Sequence, residues 1–172
     1  MASLMENLID VLEKESLEYE NLLGLSNSKT PVIVEGNFET LAKITDEEQL
    51  VVSRINHLDQ KREEVMRDIA NVINKDVKDL KLPAIITMLE PRKSEQQKVA
   101  VVYDKLQTTV HEVAAINERN RVLITEALEM VTFEMNILQA TKAAPETANY
   151  NRAAFNNGTS IGQNVGGFDA KQ

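Results

Sequence analysis

The sequence predicts an all-α protein, an elongated antiparallel bundle or coiled coil of three long helices with a short connecting helix and a disordered C-terminal tail. Apolar residues recur at heptad spacing through two long segments. Only six Gly and four Pro interrupt 172 residues, and aromatic residues make up 4%. The turns and aromatic pairs of a β-sandwich or barrel are therefore missing. We expect residues 1–143 to form the bundle and residues 144–172 to form the Gly/Asn-rich tail.

Composition argues against several classes of function. The chain contains no Cys, so it can form neither a disulfide nor a Cys-type zinc site. A net charge of −8 and a pI near 4.9 disfavour nucleic acid and anionic membranes as partners. No run of 18 or more residues is free of charge, so we expect no membrane insertion and a cytoplasmic protein.

The first helix is predicted from apolar residues that recur on one face. Gly24 and the polar run Ser26–Ser28 predict its end, and Thr30-Pro31 predicts a second start, with Thr as the cap. Gly36-Asn37 predicts a further interruption before the next helix. The apolar face consists of Met5, Leu8, Leu12, Tyr19 and Leu22.

The second helix is predicted over residues 38–74, where the heptad is clearest. Eight of the ten core positions between Leu41 and Val72 are apolar, and the two exceptions are Glu48 and Arg62. Polar residues at core positions lower stability but can fix the register of packed helices. We therefore interpret Glu48, Arg62 and, in the third long helix, Asn120 as residues that set the register.

The rest of the predicted bundle is a short helix after Pro83 and a third long helix from about Pro91 to Lys142. Antiparallel pairing of the second and third long helices would place Glu48 near Asn120, and Arg62 near Asp104. The third long helix would then extend beyond the second by about 15 residues.

This predicted extension is the most informative stretch of the sequence. A lone packed helix needs one apolar stripe, whereas here apolar residues cover more than one face. Met-rich apolar surface adapts to irregular helical ligands, so we predict that the stretch binds a helix of a partner. In the alternative interpretation, the first helix or a second copy of the chain covers it. The residues are Leu128, Met130, Val131, Phe133, Met135, Ile137 and Leu138.

No residue pattern predicts catalysis, a cofactor or a metal. His57 and His111 lie on charged helix faces without metal-ligand spacing. The Gly-rich run at 158–167 lacks a Lys and follows no predicted strand, so it is not a phosphate-binding loop. Two other classes stay open, namely a structural homo-oligomeric coiled coil and a phosphotransfer signalling bundle built on His57 and Lys61.

Three features carry a resemblance to a known family. They are the Leu-rich acidic first helix, the junction Val34–Phe38 and the stretch Asn117–Leu123, an Asn-x-x-Asn motif followed by an aliphatic pair. In these features the sequence resembles the FlgN family of flagellar export chaperones, over most of residues 1–143.

The resemblance implies a non-enzymatic chaperone and identifies its partners. Family members bind the hook–filament junction proteins FlgK and FlgL, hold their assembly-prone helical ends and bring them to the export gate. Their cargo binds the C-terminal part, which here contains Met130, Phe133, Met135 and Leu138. A C-terminal Tyr meets the gate, and Tyr150 is the candidate in this chain. We expect a monomer or weak dimer without a cofactor.

Overall fold

In the computed structural model, residues 2–143 are described and every regular element among them is helical, which confirms the all-α class. The chain divides into two compact units after Thr132, and one helix crosses this division. The predicted tail, residues 144–172, lies outside the described residues. The helices are α1 (Ala2–Glu35), α2 (Phe38–Ile73), α3 (Leu82–Met88) and α4 (Lys93–Ala143), with a 3₁₀ turn at Val77–Asp79.

The first helix is continuous, so the break predicted at Gly24–Ser28 and the restart at Thr30-Pro31 were wrong. α1 includes Pro31, although proline cannot donate the backbone hydrogen bond of a helix interior. Contacts on the same segment compensate for this loss. Ser26 is fully buried, and Thr30 bonds to a side chain of α4. Burial and side-chain bonding thus override the local preference of Gly, Ser and Pro for a turn.

The predicted interruption at Gly36-Asn37 is correct, and it joins α1 to α2. Gly36 adopts a positive φ of 68°, and the N–H groups of Gly36 and Asn37 bond to the carbonyls of Ile33 and Val32. This is the Schellman arrangement that ends many helices. Asn37 then caps α2, since its side chain accepts a hydrogen bond from the Thr40 N–H. Two residues therefore reverse the chain.

The heptad of α2 predicts its core face well. Nine of the ten core positions are buried or half-buried, and only Val72 is exposed. At that end Ile73, rather than Val72, packs against the core. A straight α-helix drifts by about 20° per heptad, so the core face moves by one residue over five heptads.

One core cluster closes the end of the bundle near the α2–α4 connection. Leu12 of α1, Ile69 of α2, Ile85 of α3 and Val99 of α4 belong to it, each 2% exposed or less. The predicted short helix is α3, which begins at Leu82 rather than after Pro83, and it covers this end as predicted. A second cluster farther along joins α1, α2 and α4 through Leu22, Val51, Ile55 and Val113.

Side-chain pairs fix the directions of the long helices in the first unit. α1 and α4 run the same way, because Lys105 pairs with Glu20 and Asn120 bonds to Thr30, farther along both helices. The two-residue junction makes α2 antiparallel to α1. α2 is therefore antiparallel to α4, in agreement with the prediction.

Candidate partner-binding site

Asn120 is the buried polar residue at the meeting of α1 and α4. Its side chain is 3% exposed and uses both ends of the amide. Asn120 Nδ2 donates to the Ser26 carbonyl at 2.8 Å, and Asn120 Oδ1 accepts from Thr30 Oγ1 at 2.7 Å. A buried amide with both partners in place specifies one alignment of two helices, because a shift of either helix would leave it unpaired.

Glu48 of α2 contacts the same part of α1. Glu48 Oε1 accepts from Ser26 Oγ at 2.9 Å, and Glu48 Oε2 lies 2.8 Å from Lys29 Nζ. Ser26 therefore links Glu48 and Asn120, with its hydroxyl on one and its carbonyl on the other. At this polar node α1 bonds to both α2 and α4.

Arg62 lies apart from this node and pairs with carboxylates rather than with α4. Its Nε is 3.2 Å from Glu15 Oε1, and its Nη2 bonds to Asp59. Burial raises the pKa of Glu15 above its usual range, although the charge of Arg62 acts in the opposite direction. The pair is a buried charge contact between α1 and α2.

The sequence interpretation missed the α1 members of these contacts. Glu15, Ser26, Lys29 and Thr30 were not selected, although the apolar spacing of α1 places Glu15 and Ser26 on its buried face. A polar residue at a core position of one helix predicts a polar partner in the neighbouring helix. That rule would have pointed from Glu48 and Asn120 to Ser26.

The apolar residues of the predicted binding stretch all lie on α4, and all are exposed. Leu128, Met130 and Phe133 are 61%, 66% and 65% exposed, and every residue from 128 to 143 is exposed. Val131 lies eighteen residues, or five full turns, after Val113 on the same face. Val113 is 7% exposed and Val131 is 45% exposed. The face that α1 and α2 cover at Val113 is thus open at Val131.

The sequence makes this stretch helical without help from burial. α4 contains neither Gly nor Pro between Lys93 and Ala143. Its Thr132 hydroxyl bonds back to the Leu128 carbonyl at 2.8 Å, so the side chain is satisfied within the helix. Leu, Met and Glu are strong helix formers. The apolar residues are therefore presented at fixed helical angles.

Those angles divide the seven residues into two stripes, with about 100° between successive residues. The first stripe, which contains Val131, spans about 80° around the helix, and the second, which contains Phe133, spans about 60°. Their centres lie about 150° apart, with Glu134 between them on the narrow side and Glu129, Thr132 and Asn136 on the wide side. Stripe one is Leu128, Val131, Met135 and Leu138, and stripe two is Met130, Phe133 and Ile137.

Acidic residues accompany these stripes. Residues 124–143 contain three acids (Glu126, Glu129 and Glu134) and one base, Lys142. All three acids are exposed, and none forms an ion pair with another side chain of residues 2–143. The candidate site therefore combines apolar stripes with a net negative charge.

Two further features of the described residues bear on chemistry away from this stretch. The part of the chain that the structure describes contains no group of three or more His, Asp or Glu residues placed to hold a metal ion. A cavity of about 510 Å³ is lined by charged and apolar side chains, among them Arg62, Glu63, Lys81, Leu82 and Tyr103. Among residues 2–143, no helix has the length and apolar character needed to cross a bilayer.

Comparison with known proteins identifies the family of the chain. A family model described as FlgN protein matches residues 1–158. The chain belongs to the FlgN family. The match confirms the resemblance found in the sequence and extends past α4 to include Tyr150. No curated protein and no solved structure matches this FlgN-family chain.

Membership defines the general role of the chain. FlgN proteins are flagellar export chaperones that bind export substrates, and the family is not known for enzymatic activity. The seven apolar residues lie together on one helix, and Glu48 and Asn120 share Ser26 as a partner. Tyr150 lies outside the described residues, so its predicted contact with the export gate stays a prediction.

Proposed function

We propose that this chaperone serves hook–filament junction proteins of the FlgK and FlgL type in the cytoplasm. It binds their assembly-prone helical ends on Leu128–Leu138 and brings them to the export gate. The observation that carries the proposal is the row of exposed apolar side chains on α4. An amphipathic helix that docks on this row would bury its own apolar face at the same time.

The mechanism is stoichiometric masking. The helical ends of a junction protein assemble with other subunits through apolar surface, so a chaperone that covers the same surface prevents early assembly. Release at the gate requires only reversible binding, and no covalent step is needed. Polar residues around the stripes keep the empty site compatible with water.

The test is a double substitution in the exposed row. Met130→Asp with Phe133→Asp places two charges where the cargo helix would bury apolar surface, and burying an unpaired charge is very costly. We expect the variant to lose co-purification of a FlgK-type protein from the same bacterium. Both sites are exposed, so helicity measured by circular dichroism should remain.

A matched control uses exposed apolar residues of α2. Leu50→Asp with Phe38→Asp introduces the same charges at positions that are 63% and 67% exposed. This variant should retain the cargo. If the α4 variant also retains the FlgK-type protein, the cargo site lies elsewhere and the proposal fails.

A further inference from the structure

The two stripes on α4 face different directions, and this difference limits how much of them a single partner helix can cover. A helix that packs against another covers a stripe about 100° wide. The stripe centres lie about 150° apart, so one straight helix that covers the first leaves the second in water. We infer that the segment Leu128–Leu138 binds two amphipathic helices of its partner at once, one on each stripe. This inference rests on the proposed function.

The first stripe continues a face of α4 that already binds helices. At Val113 this face packs against Leu22 of α1 and against Val51 and Ile55 of α2. Val131 has the same direction five turns later, with 45% of its surface exposed. A partner helix on the first stripe would therefore repeat at Val131 the packing that the chain itself makes at Val113.

The second stripe needs an occupant of its own. Met130 and Phe133 are among the most exposed large apolar residues of the described chain, at 66% and 65%. Ile137 completes an i, i+3, i+7 spacing, the pattern by which one helix anchors another. Glu134 separates this stripe from the first on the narrow side, so the two do not merge into one broad contact.

Charge favours a partner over a second copy of the chain. A symmetric pairing through this segment would bring Glu126, Glu129 and Glu134 of both copies together, and like charges across an interface are unfavourable. The whole chain carries −8, which adds to the repulsion. The three acids lack ion-pair partners within residues 2–143. The occupant is therefore a pair of amphipathic helices with Lys or Arg beside their apolar stripes.

Two variants distinguish the stripes at equal depth along α4. Val131→Gln with Leu138→Gln alters the first, and Met130→Gln with Ile137→Gln alters the second, each pair seven residues apart. Gln adds no charge and preserves helix propensity. The probes are the intact FlgK-type junction protein and, separately, its N-terminal and C-terminal segments as peptides, with affinity measured by calorimetry.

We expect a crossed pattern. Each variant should weaken binding of one terminal peptide at least about tenfold and change the other by less than about twofold. The intact junction protein should bind both variants less tightly than the unsubstituted chain, because it loses one of two linked contacts. If both variants affect the same peptide, or only one variant has any effect, a single helix binds and the inference is overturned.

The same measurements test the binding of two helices and the proposed function separately. If the unsubstituted chain fails to bind the intact junction protein, the proposed function falls and the inference falls with it. If the intact protein binds but the crossed pattern is absent, only the inference falls. Sedimentation velocity should show monomers throughout, and a wild-type dimer that either variant dissociates would place a second copy on that stripe and overturn the inference.

Discussion

Ser26 and Asn120 show how single polar residues align the helices of this chaperone. Ser26 is fully buried, and it contacts Glu48 through its hydroxyl and Asn120 through its carbonyl. Apolar heptads allow helices to slide by one turn at modest cost, whereas a buried polar group that loses its partner costs about 1–3 kcal/mol. We therefore expect the node to contribute more to a unique alignment than to net stability.

The buried pair of Glu15 and Arg62 gives a pH prediction at the residue scale. Burial raises the pKa of Glu15, so above its unfolded pKa the folded state holds a proton that the unfolded state has lost. The resulting stability is fully present below the unfolded pKa and is lost as pH rises through the folded pKa. We expect Glu15→Gln to remove this dependence. The free energy of unfolding of the wild type, relative to the variant, should fall as pH rises above the ordinary carboxyl pKa, because burial raises the pKa of Glu15 in the folded state.

Urea unfolding followed by circular dichroism at micromolar concentration measures this difference. Glu18→Gln is the matched control, because the hydrogen bond from Arg54 lowers the pKa of Glu18. Its contribution to stability is present above the unfolded pKa and lost as pH falls, so the slope should have the opposite sign. A rise with pH in the Glu15 comparison would mean that the Arg62 charge outweighs burial.

At the scale of elements, α1 differs most from its sequence pattern. Gly24, Ser26 and Pro31 together favour a break, yet the helix runs from Ala2 to Glu35. Local propensities sum to a few kcal/mol at most, and the buried side chains on both sides of this segment outweigh them. Leu22 and Ile33 are 8% and 6% exposed, one on each side of the predicted break. The local pattern of Gly, Ser and Pro that predicted the break could not include the contacts that bury Leu22 and Ile33.

The two glycines near this segment should respond to alanine in opposite ways. Gly24 is exposed within a helix, and a Cβ there would meet no atom within 4 Å, so Gly24→Ala should raise the free energy of unfolding by about 0.5–1 kcal/mol. Gly36 has a φ of 68°, so Gly36→Ala should lower it by about 1–2 kcal/mol. Urea denaturation checks both. A loss of stability in Gly24→Ala would mean that α1 is not a regular helix at that position.

At the scale of the whole molecule, the sequence predicts the described fold far better than it predicts the site. Heptads in α2 and α4 give the helix class and the antiparallel pairing, because core positions repeat over many turns and single errors average out. The heptad wrongly places Val72 in the core, because the angular drift of a straight helix relative to the heptad accumulates along α2. The seven residues from Leu128 to Leu138 could be selected because antiparallel pairing predicts that α4 extends beyond α2. Where α1 ends relative to α4 could not be predicted, because the side-chain contacts that keep α1 continuous are not contained in any local pattern.

We expect α4 and the segment that follows it to have separate roles, with α4 binding the cargo and the later segment binding the export gate. Tyr150 is the only Tyr beyond α4, and the family match extends through residue 158. If Tyr150 contacts the export gate while α4 holds the cargo, the two roles should separate. Aromatic residues often dominate a small contact. We therefore expect Tyr150→Ala to reduce secretion of the junction protein at least about tenfold and to leave its co-purification unchanged.

Immunoblots of the culture medium measure secretion of the junction protein, and immunoblots of the purified complex measure its co-purification. Phe155→Ala, which removes another aromatic ring from the same segment, is the control and should leave both unchanged. Tyr150→Phe distinguishes the ring from the hydroxyl, because secretion returns only if the ring makes the contact. Loss of the complex in Tyr150→Ala would instead make Tyr150 part of the cargo site. A residue that contacts only the export gate cannot change the affinity for cargo in a purified complex that lacks the gate.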